Sequence, residues 1–257
     1  FVGDVGEEGK GNLRGMRYLF GNTLKGKVDY FISVDGSDQH VVSRAVGSNR
    51  YKVTYKGPGG HSYGAFGIPN PIHALGRAIA GISDIQVPSD PKTTFNVGVI
   101  SGGTSVNSIP YEASMEIDMR SESAASLATT NEKILRIVHA ALNAENARWP
   151  GARAAAAKLS LVIDTIGIRP TGGQSDNVAI VQTALNAAKA LNFVSSTGAS
   201  STDSNLPISL GIPAITIGGG GRSAGAHSLG ESYEDGPNAY VGVQWTALIV
   251  AALAGVP

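Results

Sequence analysis

The hydrophobic and polar positions follow one pattern at the two ends of the chain and another between residues 48 and 170. The chain opens on an apolar-rich run of strand type, FVGDVG (1–6), that stops at the adjacent carboxylates Glu7 and Glu8. Residues 12–20 then carry Leu13, Met16, Tyr18, Leu19 and Phe20, reasonable for a short helix closed by Gly21. Residues 28–34 (VDYFISV) are mostly apolar, as in a buried strand, and end at Asp35-Gly36. Strand, helix and a strand ending in an acid is the order of an α/β sheet, where ligands collect beyond the carboxyl ends of strands.

From residue 49 the polarity alternates. Tyr51, Val53 and Tyr55 share one face of a predicted half-buried strand that runs into GPGGHS (57–62). Pro69-Asn70-Pro71 opens a predicted helix over 72–85, with Ile72, Leu75, Ile79 and Ile82 at helical spacing. Strands are predicted at 93–100 and 113–119, a helix at 124–146 and a strand at 158–168, with the Ala-rich WPGARAAAA (149–157) as a frayed helix end. This β-α-β-β-α-β order predicts a split βαβ sandwich, with helices on one face of an antiparallel sheet. The α/β pattern then resumes with a helix at 177–191, a short strand at 193–195, a buried strand at 212–217 ending in GGGG, and an amphipathic helix at 238–253. The expected architecture is an α/β domain made of residues 1–47 and 171–257, interrupted by an inserted α+β domain over 48–170.

Composition narrows the chemistry. Hydrophobic residues make up 42% of the 257 and charged residues 16%, which suits a globular chain with a lightly charged surface. Lys plus Arg and Asp plus Glu number 20 each, so no global charge attracts nucleic acid or an anionic membrane. No apolar run approaches the roughly 18 residues that cross a bilayer. Cysteine is absent, which excludes a disulfide framework and a thiol nucleophile and confines any metal site to His, Asp and Glu. No G-x-S-x-G elbow appears, and GGGGR (218–222) lacks the spacing of a phosphate loop.

Candidate chemistry begins at Glu7 and Glu8, flanked by Gly6 and Gly9, which let the backbone turn tightly. In such a turn both acids can reach one cleft, one as metal ligand and the other as proton carrier; a solvated surface turn fits the same residues. Asp35 can join them at the strand ends or serve as a turn residue before Gly36.

Six segments, GDVGEEGKGNLRG, ISVDGSD, GPGGHS, NVGVISGG with NSIPYEASMEIDMRS, SSTDSN, and GIPAITIGGGG with AHSLGE, resemble in order the motifs of the M20 metallopeptidases. That family includes aminoacylase, carboxypeptidase and tripeptidase-like enzymes. The resemblance implies a zinc-peptidase-like α/β catalytic domain with an inserted lid and dimerisation domain, and a homodimer. It implies two divalent metal ions, zinc in the first place with cobalt or manganese as alternatives. Glu7 matches the general base, Glu8 a ligand of one metal together with His227, and Asp35 a ligand of the other. His61 matches a lid histidine that donates to the developing oxyanion, Asn107 and Arg120 match substrate-binding residues, and Asp203 an acid expected to orient His227. Turn or ion-pair roles remain open for His61, for Asn107, and for Arg120 beside Asp118 or Glu122.

The implied activity is hydrolysis of an amide bond in a short peptide or an N-acyl amino acid, in a cytoplasmic setting, with neither nucleic acid nor membrane as partner. The family's early H-x-D motif and bridging aspartate lie upstream of the Glu-Glu turn. The chain is therefore expected to be part of a longer polypeptide, its catalytic domain incomplete at the N-terminus, and inactive alone. The competing expectation is a non-catalytic relic of the fold that binds amino-acid-like ligands or serves as a dimerising subunit.

Overall fold

The computed structural model describes residues 1–256. In chain order, a 3₁₀ turn (Gly9–Gly11) leads to α1 (Arg14–Tyr18), whose end widens into a π-helical turn at Leu19–Thr23. There follow β1 (Phe31–Val34), β2 (Val41–Ala45), β3 (Gly47–Lys56), β4 (Gly60–His61), α2 (Pro71–Ser83), β5 (Thr93–Gly102), β6 (Ser108–Ile109) and β7 (Glu112–Ser121). Next come α3 (Ala124–Ala147), α4 (Ala152–Ala156), β8 (Ser160–Arg169), β9 (Gly172–Gly173), α5 (Ala179–Ala190), β10 (Thr197–Ser200) and α6 (Asn205–Ser209). The chain ends with β11 (Ala214–Ile217), the hairpin strands β12 (Arg222–Ala224) and β13 (Ser232–Glu234), and α7 (Tyr240–Leu253). The backbone forms two compact units, one of residues 1–47 with 169–256 and one of residues 48–168.

In the first unit the sheet runs β1-β11-β2-β10, with β9 beside β2. β1 lies parallel to β11 and β10 parallel to β2, while β11 and β2 are antiparallel. All four residues of β11 are buried because both faces of the sheet are covered. One face packs Val41, Ile215 and Ile217 against Ile180, Val181 and Ala184 of α5 and Trp245 and Ile249 of α7. The Trp245 indole N–H donates to the Ala184 carbonyl at 2.8 Å, which satisfies its polar atom inside that layer. The other face carries Leu13, Met16 and Phe20, with Phe20 edge-on to Phe31. β1 ends the strand order, and no described strand pairs with its outer side.

The second unit is a four-stranded sheet in the order β5-β7-β3-β8 with α2 and α3 against it. Alternation in β7 puts Ala113, Met115, Ile117 and Met119 into the core, where they meet Ala74, Ala78 and Ile82 of α2 and Ile134 and Val138 of α3. Pro71 opens α2 behind Asn70, whose side chain accepts from the Ile72 N–H. The expected α/β and α+β layering is thus present, with the helices and strands of the split βαβ sandwich in their expected order.

Four local expectations need correction. Residues 1–7 form no strand; Val2 and Val5 are 62% and 65% exposed, and no described strand offers them a ladder. The first helix starts at Arg14 because Asn12 and Leu13 both take positive φ, and Leu13 still buries its side chain completely. The strand expected at 193–195 forms instead at Thr197–Ser200, where β2 offers a parallel partner. The Ala-rich run is a separate short helix, cut off from α3 by Pro150 and by Gly151 at φ +93°. No described helix is long and apolar enough to cross a membrane.

Candidate active site

An open cleft of about 960 Å³ in the first unit runs along β1 and reaches Asp4, Glu7, Glu8, Asp35 and Asp203, five carboxylates at one mouth. Asp35 arrives there at the carboxyl end of β1, where its N–H donates to the Ile217 carbonyl at the parallel end of β11. Glu7 and Glu8 arrive on the turn that the sequence marks with glycine: Gly6 and Gly9 take φ of +81° and +51°. Gly11 sits so close that a Cβ there would lie 2.4 Å from the Gly6 carbonyl oxygen. Asp203 comes from the loop between β10 and α6, which is fixed by Ser204 and Thr202 hydroxyls on Thr216.

Two of these acids, Glu7 and Asp203, hold their protons more tightly than usual. Burial pushes the Glu7 carboxyl above the ordinary carboxylate range; Arg169 pulls it back in part, and Glu8 and Asp35 add to the rise. Asp203 is pushed up to about 7, first by burial and then by the charge of Asp4, by a hydrogen bond to Asp4, and by Glu7 and Asp35. Asp203, expected beside His227, therefore has Asp4, Glu7 and Asp35 as its charged neighbours. The buried cation among them is Arg169: its Nη1 meets Glu7 Oε1 at 2.5 Å, its Nη2 meets the Glu7 carbonyl, and Nη1 also donates to Ser201 Oγ at 3.1 Å.

His227 sits in the exposed loop at the tip of the β12–β13 hairpin, with φ +63° and its N–H donating to Glu231. It does not line the cleft. Among the described residues no three His, Asp or Glu side chains group closely enough to hold a metal ion. The cleft offers donors of the right kind, with Asp4 Oδ2 and Asp203 Oδ1 buried and unpartnered, but not a complete ligand set.

In the second unit, β4 pairs with β6 and brings His61 opposite Ser108, while the Ser62 N–H donates to the Asn107 carbonyl at 2.9 Å. His61 Nδ1 accepts from the Gly64 N–H, which leaves the proton of the neutral ring on Nε2. Asn107 Oδ1 accepts from Ser105 Oγ. Arg120 Nε and Arg50 Nε hold the two oxygens of Asp118, each at 2.7 Å.

Sequence reasoning missed Asp4 and Arg169. Arg169 had a signal: it ends β8 on the same parity as the inward-facing Leu161 and Ile163, and a charge on an inward parity requires a partner. Asp4 had none, because its meaning rests on Asp203, near the other end of the chain.

The family model for the M20 peptidase dimerisation domain matches residues 43–150. Over 117 residues, 43% of this chain and 29% of the relative, the sequence is 31% identical to the N-acetylcysteine deacetylase of Bacillus subtilis. Among solved structures, a tripeptidase from Staphylococcus aureus aligns with 98% of this chain at a TM-score of 0.73 and 19% identity. A dinuclear metal-binding peptidase of the M20 family from Bacillus subtilis aligns with 96% at 0.59 and 16%. The chain spans 63% of the length of each of these two structures. The solved structures share the fold of this chain, an α/β unit and a split βαβ unit. The dimerisation-domain match over residues 43–150 supports a relation to the M20 family peptidases.

Proposed function

We propose that the protein is a metal-dependent hydrolase that cleaves an amide bond in a short peptide or an N-acyl amino acid, with Glu7 as its proton carrier. One observation carries the reading: Glu7 stands on a glycine-flanked turn at the cleft mouth, where burial first and then the charges of Glu8 and Asp35 raise its proton affinity. Oε1 is engaged by Arg169, so Oε2 is the atom available to take a proton from water and return it to the departing amine.

Glu8, Asp35 and His227 are proposed as part of the ligand set for divalent ions, zinc first and cobalt or manganese as alternatives, which would supply Lewis acidity when bound. The dinuclear relative supports divalent ions in general. In the second unit, the Nε2–H of His61 is available to donate to a developing oxyanion, and Asn107 and Arg120 are proposed to hold the substrate. The matched dimerisation domain supports a homodimer through this unit.

The test is metal content and hydrolysis by the full-length protein against dipeptides, tripeptides and N-acetyl amino acids, with Glu7→Gln as control. Stoichiometric metal with turnover that E7Q abolishes supports the reading. Absence of both leaves the non-catalytic alternative, a dimerising subunit that binds amino-acid-like ligands.

A further inference from the structure

Glu7 lies on a turn that no described strand pairs with. Its neighbourhood takes positive φ at Gly6, Gly9, Asn12 and Leu13, and the backbone bonds at the turn include Gly11 N–H to the Glu8 carbonyl at 2.8 Å and Gly15 N–H to that of Val5 at 3.2 Å. A turn outside any sheet does not by itself fix a carboxylate to the tolerance that proton transfer needs.

Arg169 sits in a closely packed stretch of chain. Its side chain is 5% exposed, with the Glu7 side chain at 20%. On its C-terminal side, the Pro170 carbonyl accepts from Asn205 Nδ2 at 3.0 Å, and the same amide donates to the Val46 carbonyl at 2.8 Å. Asn205 is wholly buried, and its Oδ1 accepts from the Thr202 N–H. Gly47 packs so tightly here that a Cβ would meet the Thr171 methyl at 2.4 Å and the Arg169 carbonyl oxygen at 2.9 Å. The guanidinium thus reaches Glu7 from a rigid frame and grips both its carboxylate and its carbonyl.

We propose that Arg169 is the positioning residue for Glu7: it aims the glutamate by binding both ends of it and leaves Oε2 as the proton-accepting atom. This rests on the reading of Glu7 as proton carrier. A planar fork is required, since an ammonium can neutralise the charge but cannot hold two acceptors in fixed directions. Ser201 Oγ takes a further bond from the same Nη1 and keeps the fork from rotating. Nε has no partner, so the energy of burying this cation is recovered through the two Nη groups alone.

The experiment compares wild type, Arg169→Met, Arg169→Lys and Glu7→Gln in the full-length, zinc-loaded protein on whichever panel substrate it hydrolyses. R169M is expected to lower kcat on the order of 100-fold with KM changed less than about threefold, and R169K to recover part of the loss. Urea unfolding of R169M, E7Q and the double variant supplies a readout independent of activity, and the two substitutions should be strongly non-additive. If R169M does not fold, R169K alone must show the kcat loss. An unchanged kcat in R169M, or in R169K where that stands alone, overturns the proposal and reduces the contact to a structural ion pair, as does additivity in the cycle. A wild type that hydrolyses nothing overturns the hydrolase reading itself, and the positioning role falls with it.

Discussion

Asp203 and Asp4 are neighbouring carboxyl groups in the wall of the cleft, and each keeps one buried oxygen without a partner. Burial, and after it the charge of Asp4, makes the Asp203 carboxyl hold its proton more tightly than an exposed aspartate does. This makes the stability of the metal-free protein depend on pH in a definite direction.

The Asp203 carboxyl is raised from 3.8 to about 7 on folding. A folded state that holds its proton more tightly gains stability at low pH and loses it as pH rises through about 7. Asp203→Asn should therefore be more stable than wild type above that value, with the advantage shrinking toward pH 4. Urea midpoints across the range measure it; parallel curves for the two proteins would contradict it.

Gly15 gives Asp4 its place, since a Cβ there would lie 1.8 Å from Asp4 Oδ1 and 2.6 Å from the Val5 carbonyl oxygen. Gly15→Ala should expel Asp4 despite alanine's better helix propensity, costing about 1–3 kcal/mol. It should also weaken the same pH dependence that Asp203→Asn removes. Unfolding of G15A at two pH values tests both parts.

In the second unit, Glu145 is completely buried and accepts from the Arg77 Nε and the Asn70 N–H, each at 3.1 Å. Glu145→Ala strips partners from both and should cost about 3 kcal/mol. Chemical denaturation is the measurement, and a loss below about 1 kcal/mol would show that Arg77 and Asn70 find water instead.

Under the proposed function, His61→Ala should lower kcat on the order of 100-fold, because a donor to a developing oxyanion acts mainly in the transition state. Steady-state kinetics on the best panel substrate read this directly. A rise in KM alone would assign His61 to substrate binding.

Much of the architecture was legible because it rests on local pattern. Tyr51, Val53 and Tyr55 alternate, and Leu75 and Ile82 recur at helical spacing, whatever lies elsewhere in the chain. The opening run misled because a strand needs a neighbour, and VGDV has the composition of a strand without a described partner. The Glu7-Glu8 turn and the Asp35 strand end could be seen as acids at points where backbones stop. Asp4 and Arg169 acquire meaning only through Asp203 and Glu7, contacts between distant parts of the chain that no local pattern encodes.

Asn205 holds the carbonyls of Val46 and Pro170 with one amide nitrogen, so the chain departs and returns through neighbouring points. For the sheet of the first unit, everything between those carbonyls is one long loop with pinned ends. Changes of length within such a loop leave its ends in place as long as Arg169, the last side chain before the Pro170 carbonyl, keeps its hold on Glu7. The fold thereby has a socket, and one buried asparagine defines its rim.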